Sequence, residues 1–227
     1  MNNNKVLITG ASGGIGKSLC KKFIESNAII ICTSSDTEKL KNLKNLYGSD
    51  HHYYLLNFAD KDSISDSIKQ ISEDHEDIYT LINNAGIIGS RDGLKKVEMD
   101  DHLDTFQTNT LGPLFVTKHC RSLLGKGSTV VNISSLMGSI DDSSGGSYSY
   151  RISKAALNMV TKNLHQDLNS KGITVVAFHP GWVRTRMGRS IAPVSKKRSV
   201  SGMLKVLEEQ NDISGKFINF KGEELPW

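Results

Sequence analysis

Residues 5–16 read KVLITGASGGIG, an apolar run that passes directly into a loop with four glycines in seven positions. Glycine permits a tight turn at a strand end and lets the backbone approach a ligand closely. A helical pattern follows at once, so the free N–H groups and the partial positive charge of a helix N-terminus face this loop. The stretch therefore predicts a site for a phosphate-bearing ligand after the first strand. The loop alone leaves open a glycine-rich turn without a ligand.

Short apolar runs alternate with helical patterns along the whole chain. The runs are rich in Val and Ile and show little polar alternation, which is typical of strands buried on both faces of a sheet. Seven such runs are Lys5–Thr9, Ala28–Thr33, His52–Leu56, Ile78–Asn83, Thr129–Ser134, Ile173–Phe178 and Lys216–Phe220. Helical periodicity lies between them, as in Ile15–Ser26, in Asp60–Ser72 and from about Tyr148 to Asn169. The alternation predicts an α/β fold in a single domain over residues 1–227: a doubly wound, seven-stranded parallel sheet of the Rossmann type, with helices on both faces.

Composition excludes several other classes of protein. The chain has 227 residues, is 37% hydrophobic and carries a net charge of +4, which is less basic than the dense cationic face of a nucleic-acid binder. Cys20, Cys32 and Cys120 are odd in number and lack the spacing of metal or redox motifs. No apolar run approaches the ~20 residues of a membrane span, and the N-terminus lacks the apolar stretch of a signal peptide. We expect no metal, no nucleic-acid or membrane partner, and a cytoplasmic location.

Four further motifs follow the glycine-rich loop. They are Asn83-Asn84-Ala85-Gly86, the serine pair Ser134-Ser135, Tyr150-Arg151-Ile152-Ser153-Lys154, and Pro180-Gly181-Trp182-Val183-Arg184-Thr185. Together with T-G-x(3)-G-x-G at the first strand, they resemble the fingerprint of the short-chain dehydrogenase/reductase family over nearly the whole chain. More narrowly, the segments YSYRISKAALN, HPGWVRTRMG and SGKFINFKGEELPW are similar to the C-factor and Sniffer-type carbonyl reductase branch. The resemblance implies an NAD(P)-dependent oxidoreductase that reduces a carbonyl or oxidises the matching alcohol.

Tyr150 and Lys154 are the first candidate catalytic residues. On a helix, residues four apart share one face, so the ammonium lies near the phenol. A free tyrosine has a pKa near 10, and lowering it by about three units requires roughly 4 kcal/mol. An ammonium ~4 Å away at an effective dielectric constant near 20 supplies about that much. Tyr148 has no such partner, because the residue four positions later is Ile152.

The family resemblance implies two more catalytic residues. Ser135, the second serine after the fifth strand, would hydrogen-bond the substrate carbonyl, while Ser134 would be its structural neighbour. Asn109 would hold a water molecule on Lys154. A local helix kink before the following Gly-Pro pair is a second interpretation of Asn109, and it is compatible with the first.

The resemblance also implies a set of cofactor-binding residues along the cleft. These are Gly10, Ser12, Gly13, Gly14, Ile15, Gly16, Ser34, Ser35, Asn57, Phe58, Asn84, Ala85, Gly86, Tyr150, Lys154, Pro180, Gly181, Val183 and Thr185. Ser12 adds a hydroxyl for helix capping or for phosphate contact. Val183 and Thr185 would contact the nicotinamide carboxamide, and Asn57 takes the place of an aspartate that meets the adenine in many relatives.

Cofactor choice is expected to depend on the end of the second strand. NAD-specific relatives place an acid there and NADP-specific ones an arginine or lysine, at positions that fall on Ser34 and Ser35 in this chain. Small hydroxyls admit a 2′-phosphate without repulsion, so NADP(H) is favoured and NAD(H) stays possible. An Asp36 side chain turned toward the cofactor would instead favour NAD(H). The interpretation we favour is that Asp36 caps the next helix.

The substrate is predicted to be a small carbonyl or alcohol, and both a neutral and an anionic one stay open. The segment after the carboxamide-binding turn holds Arg184, Arg186, Arg189, Lys196, Lys197 and Arg198, and no acid follows until Glu208. This segment is either a solvated, mobile lid or an anion-binding rim for a carboxylate, a phosphate or an acidic carrier protein. In the family, the helices that contain Asn109–Leu124 and Tyr148–Asn169 pair between subunits, which implies a homodimer or homotetramer.

Two other functions stay open. One is a 3-oxoacyl-carrier-protein reductase, whose chemistry is the same and whose carrier would bind the basic rim. The other is a cofactor-binding sensor or signalling protein, since the C-factor branch is linked to developmental signalling. Against the sensor stands the complete set of Asn109, Ser135, Tyr150 and Lys154, which binding alone does not require.

Overall fold

The computed structural model describes residues 4–91, 93–209 and 211–227. Its strands are β1 (Lys5–Ile8), β2 (Ile29–Ser34), β3 (His52–Leu55), β4 (Thr80–Asn83), β5 (Thr129–Ile133), β6 (Thr174–His179) and β7 (Phe217–Asn219). These seven strands form one sheet in the order β3-β2-β1-β4-β5-β6-β7, and every neighbouring pair is parallel. The order reverses between β1 and β4, which is where doubly wound sheets bind their ligands.

Helices cover both faces of this sheet. They are α1 (Gly14–Glu25), α2 (Thr37–Tyr47), α3 (Lys61–Asp74), α4 (Met99–Phe106), α5 (Gly112–His119), α6 (Tyr148–Leu168) and α7 (Lys196–Glu209). Side chains of α1, α2 and α7 pack in one apolar cluster, and those of α3, α5 and α6 pack in a second. The fold class predicted from the sequence is therefore confirmed.

The central strands explain why the apolar runs lack polar alternation. Along β1, Val6 and Ile8 enter the first cluster whereas Leu7 enters the second, because successive side chains of a strand point to opposite faces. The expectation of burial on both faces is wrong for β3, whose residues are half-buried or exposed. This strand lies at the sheet edge, where Tyr and His side chains keep a polar tip in water.

The chain between α4 and α5 does not follow an α-helix. Residues Gln107–Leu111 form a π-helical turn, and Pro113 follows at the start of α5. Proline has no N–H to return to the carbonyl four residues earlier, so the helix widens before it. The local distortion predicted around Asn109 is confirmed.

Among the described residues, no helix is both long and apolar enough to cross a membrane. No group of three or more His, Cys, Asp or Glu side chains in the same part of the chain is arranged to hold a metal ion. Cys20, Cys32 and Cys120 are free thiols, and all three are buried.

Candidate active site

Tyr150 and Lys154 lie one turn apart on α6, and both are buried. The Lys154 Nζ lies 5.7 Å from the centre of the Tyr150 ring. It donates a hydrogen bond of 2.8 Å to the carbonyl oxygen of Ile133, the last residue of β5. A lysine has three N–H groups, so two donors remain for other partners. The end of β5 and the first turns of α6 thus bring the amine and the phenol to one place.

Ser135 follows β5 and lies beside the phenol. Its side chain hydrogen-bonds to Tyr150 and acts to lower the pKa of the phenol, and its Oγ also accepts from the backbone N–H of Met137 at 3.2 Å. Ser134 instead donates to Asn158 Oδ1 at 2.6 Å inside the protein. The structure therefore brings Ser135 to the tyrosine and gives Ser134 the role of structural neighbour that the sequence predicts.

The protein itself does not produce the electrostatics predicted for this pair. Burial raises the pKa of Tyr150 above its ordinary value, although Ser135 and the charge of Arg91 act in the opposite direction. Burial also lowers the pKa of Lys154 to about 7. The predicted lowering of the phenol pKa by Lys154 is wrong for the protein alone, because removal of water from both groups disfavours the phenolate and the ammonium alike.

Asn109 lies on the π-helical turn and is fully buried. Its side chain pairs with the backbone of Ile87, accepting from N–H and donating to C=O, each at 2.8 Å. It also donates to the Ser153 hydroxyl at 3.0 Å. A Cβ on Gly86 would lie 3.1 Å from Asn109 Oδ1 and 3.7 Å from Lys154 Nζ. Asn109 Oδ1 and Lys154 Nζ therefore both lie beside Gly86.

The glycine-rich loop is held by the segment after β4. The Asn84 side chain donates to the carbonyls of Thr9 and Gly10 at 2.9 and 3.1 Å, and Thr9 Oγ1 accepts from the N–H groups of Asn84 and Ala85. Gly10 has φ +61°, and a Cβ there would lie 2.8 Å from the Ala85 Cα. Asn84 and Ala85 thus hold the glycine-rich loop in its conformation through these hydrogen bonds and this close backbone contact.

The end of β2 lies against the same loop. Ser12 Oγ and Ser34 Oγ are 3.0 Å apart, so Ser12 does not cap α1, whose N-cap Gly13 has no side-chain bond. Ser35 is exposed. Asp36 caps α2, accepting from Lys39 N–H at 3.1 Å. This capping confirms the interpretation that we favoured for Asp36.

Asn57 and Phe58 are partly engaged elsewhere. Asn57 Oδ1 accepts from the Ala59 N–H at 3.1 Å, which leaves its amide hydrogens as donors. The Phe58 ring is buried against Gly112, where an added Cβ would lie 2.8 Å from the ring. The Phe58 ring is therefore not open to a ligand, and the Phe58 carbonyl already accepts from the Gln107 side chain at 2.6 Å.

The segment after β6 forms a hydrogen-bonded turn beside the loop. Thr185 Oγ1 accepts from the Gly188 N–H at 3.0 Å, and the Trp182 indole donates to the Gly188 carbonyl at 2.7 Å. Val183 pairs with Val194 in an isolated bridge. Pro180 and Gly181 precede this turn, and Gly181 takes φ +83° against the Phe220 ring. The segment is held at both ends by these bonds rather than left as a free strand of chain.

Three residues near the site carry no signal in the sequence. Arg91 donates to the Met187 carbonyl at 2.5 Å and so joins two loops. His179 Nδ1 accepts from the Leu136 N–H at 3.2 Å, directly after Ser135. Arg151 donates to Gly145 and Met137 carbonyls and to the Ser144 hydroxyl. Each of these side chains forms a hydrogen bond with a loop or with backbone that is distant in the sequence. The spacing of residues along the chain does not reveal such contacts.

The chain is similar in sequence to known proteins. Residues 4–195 match the family model described as short chain dehydrogenase. C-signal of Myxococcus xanthus is 43% identical over 154 residues, which are 66% of this chain and 93% of that protein. The 3-oxoacyl-[acyl-carrier-protein] reductase FabG of Haemophilus influenzae is 29% identical over 206 residues, 89% of this chain and 84% of the relative.

Solved structures show the same architecture. An NADPH-bound carbonyl reductase from chicken fatty liver is 32% identical with a TM-score of 0.92, and the match covers 100% of both chains. Carbonyl reductase Sniffer of D. melanogaster is 31% identical with a TM-score of 0.91, again over 100% of both chains. Because the family model spans most of the chain and the full-length fold agrees with these enzymes, the protein belongs to the short-chain dehydrogenase/reductase family of oxidoreductases.

Proposed function

We propose that this protein is an NADP(H)-dependent carbonyl reductase with Ser135, Tyr150 and Lys154 as its catalytic group. The observation that carries the proposal is the meeting of these three side chains beside the glycine-rich loop, at the carboxyl ends of the central strands. The residues fit a dinucleotide. The N-terminus of α1 has no side-chain cap, and Gly10 holds the loop close to Ala85. The bound cofactor would supply the hydride.

The chain's own residues have distinct roles in this proposal. Ser135 and Tyr150 hold the carbonyl oxygen, and the Tyr150 hydroxyl gives the proton to that oxygen as the alcohol forms. Lys154 uses its two remaining N–H groups for the nicotinamide ribose and for a water molecule, and its charge stabilises the phenolate. Asn109 positions that water from behind Gly86. A preorganised group of this kind stabilises charge where it develops.

The preference for NADP(H) is supported at the end of β2. Ser34 and Ser35 occupy positions where an acid would repel a 2′-phosphate; Ser34 is buried against Ser12, Ser35 is exposed, and Asp36 is bound to its own helix. The chicken carbonyl reductase was crystallised with NADPH. We expect a lower KM for NADPH than for NADH, and an equal or lower KM for NADH would reverse the assignment.

Small carbonyl compounds are the proposed substrates, and anionic ones are favoured by the arginines at the cleft. Arg91 lies near enough to Tyr150 to influence its pKa and also bonds to the turn at Met187. Within the described chain, Arg184, Arg186 and Arg189 form no ion pair. Turnover of an oxo acid and its methyl ester tests this. Arg186→Glu with Arg189→Glu should slow the acid about tenfold and spare the ester; equal effects on both would remove the anionic assignment.

Two relatives favour alternative functions for this protein. The FabG similarity favours a 3-oxoacyl-carrier-protein reductase, and the C-signal similarity favours a signalling protein. Selective turnover of acetoacetyl thioesters over simple diketones would support the first. Tight binding of cofactor without turnover would support the second.

The deciding experiment compares NADPH and NADH oxidation over diketones, quinones, aldehydes and acetoacetyl thioesters. Tyr150→Phe should reduce kcat by about a hundredfold or more, because it removes the proton donor. Tyr148→Phe is the matched control, since Tyr148 is the first residue of the same helix but has Ile152 where Tyr150 has Lys154. Activity that survives in Tyr150→Phe would refute the catalytic assignment.

A further inference from the structure

The side chain of Lys196 lies against the glycine-rich loop. Its Cδ is 3.6 Å from the point where a Cβ on Gly14 would stand, and Thr185 Cγ2 is 2.8 Å from the same point. Gly14 is the first residue of α1, and Lys196 is the first residue of α7. The stem of Lys196 therefore packs beside the start of α1, and Lys196 as a whole is exposed to solvent.

Lys197 and Arg198, which follow Lys196 on α7, each lie near another side chain of the protein. The pKa of Glu25 is lowered mainly by a hydrogen bond to Lys22, and the charge of Lys197 adds to that effect. The Arg198 guanidinium lies 6.0 Å from the centre of the Phe220 ring. In the part of the chain that the structure describes, no hydrogen bond or ion pair involves the Lys196 ammonium. Its charge is available to a ligand.

The loop beneath Lys196 offers the complementary donors. Gly13, the N-cap of α1, makes no side-chain cap bond, and the first bond that returns into the helix is donated by Lys17 to the Gly13 carbonyl. The N–H groups of the first turn are thus free to bind an anion, and α1 is long enough at 12 residues to hold a helix dipole. A lysine beside the loop, together with the free backbone N–H groups of the first turn, suits a group with two adjacent negative charges.

We propose that Lys196 binds the diphosphate bridge of the dinucleotide cofactor and closes the glycine-rich loop from the α7 side. This inference rests on the proposed function, because it needs a dinucleotide in the cleft. The proposed site for the 2′-phosphate is a different one, at Ser34 and Ser35, whereas Lys196 lies beside Gly14. Lys196 therefore strengthens binding of NADP(H) and NAD(H) alike and does not choose between them.

Binding measurements separate these two phosphate sites without any turnover. The ligands are NADP⁺, NAD⁺, ADP-ribose, which keeps the diphosphate but lacks nicotinamide, and 2′-AMP, which lacks the diphosphate. Lys196→Met keeps most of the aliphatic stem, Lys196→Arg keeps the charge, and Lys205→Met is the control. Lys205 is an exposed cation on the same helix, where it pairs with Glu209 at 3.7 Å. Dissociation constants come from calorimetry.

Lys196→Met should weaken NADP⁺, NAD⁺ and ADP-ribose by the same factor, roughly tenfold at low salt, and leave 2′-AMP unchanged. Lys196→Arg should restore most of the affinity, and Lys205→Met should match the wild type. Unchanged affinities in Lys196→Met would overturn the inference while the proposed function stood. A loss confined to NADP⁺ and 2′-AMP would also overturn it, by moving Lys196 to the 2′-phosphate. Wild-type protein that binds none of the dinucleotides would refute the proposed function itself and the inference with it.

Discussion

His179 Nδ1 accepts the backbone N–H of Leu136, the residue that follows Ser135, over 3.2 Å. The bond requires a ring nitrogen without a proton, and burial lowers the pKa of His179 to about 4. His179 ends β6, the neighbour of β5 in the sheet. A neutral histidine on one strand therefore holds the turn that presents the serine of the next.

This bond predicts a pH-dependent stability. The unfolded histidine takes up a proton below pH 6.5, but the folded one does so only near pH 4, so the unfolded state binds more protons in between. The free energy of unfolding should fall as pH drops from 6.5 to 4, with at most about 3 kcal/mol from His179. Urea unfolding of wild type and His179→Asn, whose amide oxygen can accept the same N–H, measures the difference. Parallel pH profiles would show that His179 contributes nothing to the dependence.

Burial lowers the pKa of His51 and His75 as well, and charges near His75 modify the effect. They contribute the same sign of pH dependence to both proteins in that comparison. The contributions of His51 and His75 are therefore the same in both pH profiles. Only the difference between the two profiles reports the contribution of His179.

Local spacing is the reason why part of this site was predictable. Tyr150 and Lys154 are four residues apart on one helix, and the glycine-rich loop is continuous in sequence, so both patterns carry their geometry within them. The doubly wound fold follows in the same way from apolar runs of strand length. Arg91 with Met187 and His179 with Leu136 are joined only by the packing of distant segments, which no single-sequence pattern encodes. The direction of the Tyr150 pKa was missed because burial, which opposes the phenolate, depends on that same packing.

Gly10, in the glycine-rich loop, is predicted to tolerate substitution poorly. Gly10→Ala would combine a φ of +61° with a Cβ only 2.8 Å from the Ala85 Cα, which is backbone and cannot move aside. Gly146→Ala is the matched control, because Gly146 has φ +66° and nothing within 4 Å of its added Cβ. Conformational strain alone should cost about 1–2 kcal/mol in the control, and the contact should raise the loss in Gly10→Ala to about 3 kcal/mol or more. Thermal and urea unfolding check both values, and equal losses would exclude the contact with Ala85 as a cause.

Lys154 is predicted to lower the free energy of unfolding at pH 7, although it is one of the proposed catalytic residues. Its pKa is lowered to about 7 by burial, so the folded state favours the neutral amine and stability rises as pH increases from 7 toward 10.5. Lys154→Met removes this buried amine and should stabilise the protein at pH 7 by about 1–3 kcal/mol, after the loss of the bond to Ile133 is included. The same variant should lose carbonyl reduction. A lower unfolding temperature in Lys154→Met at pH 7 would contradict the stated balance between burial and hydrogen bonding.

Four apolar side chains are exposed on the outer face of α4, α5 and α6. They are Leu103, Phe115, Ile152 and Met159. Helices α4 and α6 pack together, so these side chains lie on neighbouring elements of one face. Exposed apolar residues on one face often mark a surface that another protein covers, and we predict that a second copy of the chain covers this one. Met159→Glu should shift the protein from dimer or tetramer toward monomer in light scattering. Leu46→Glu is its matched control, since Leu46 is 61% exposed against 62% for Met159 but lies on α2, on the opposite face of the sheet. If wild type is already monomeric, or if both variants dissociate alike, this face is not the subunit interface.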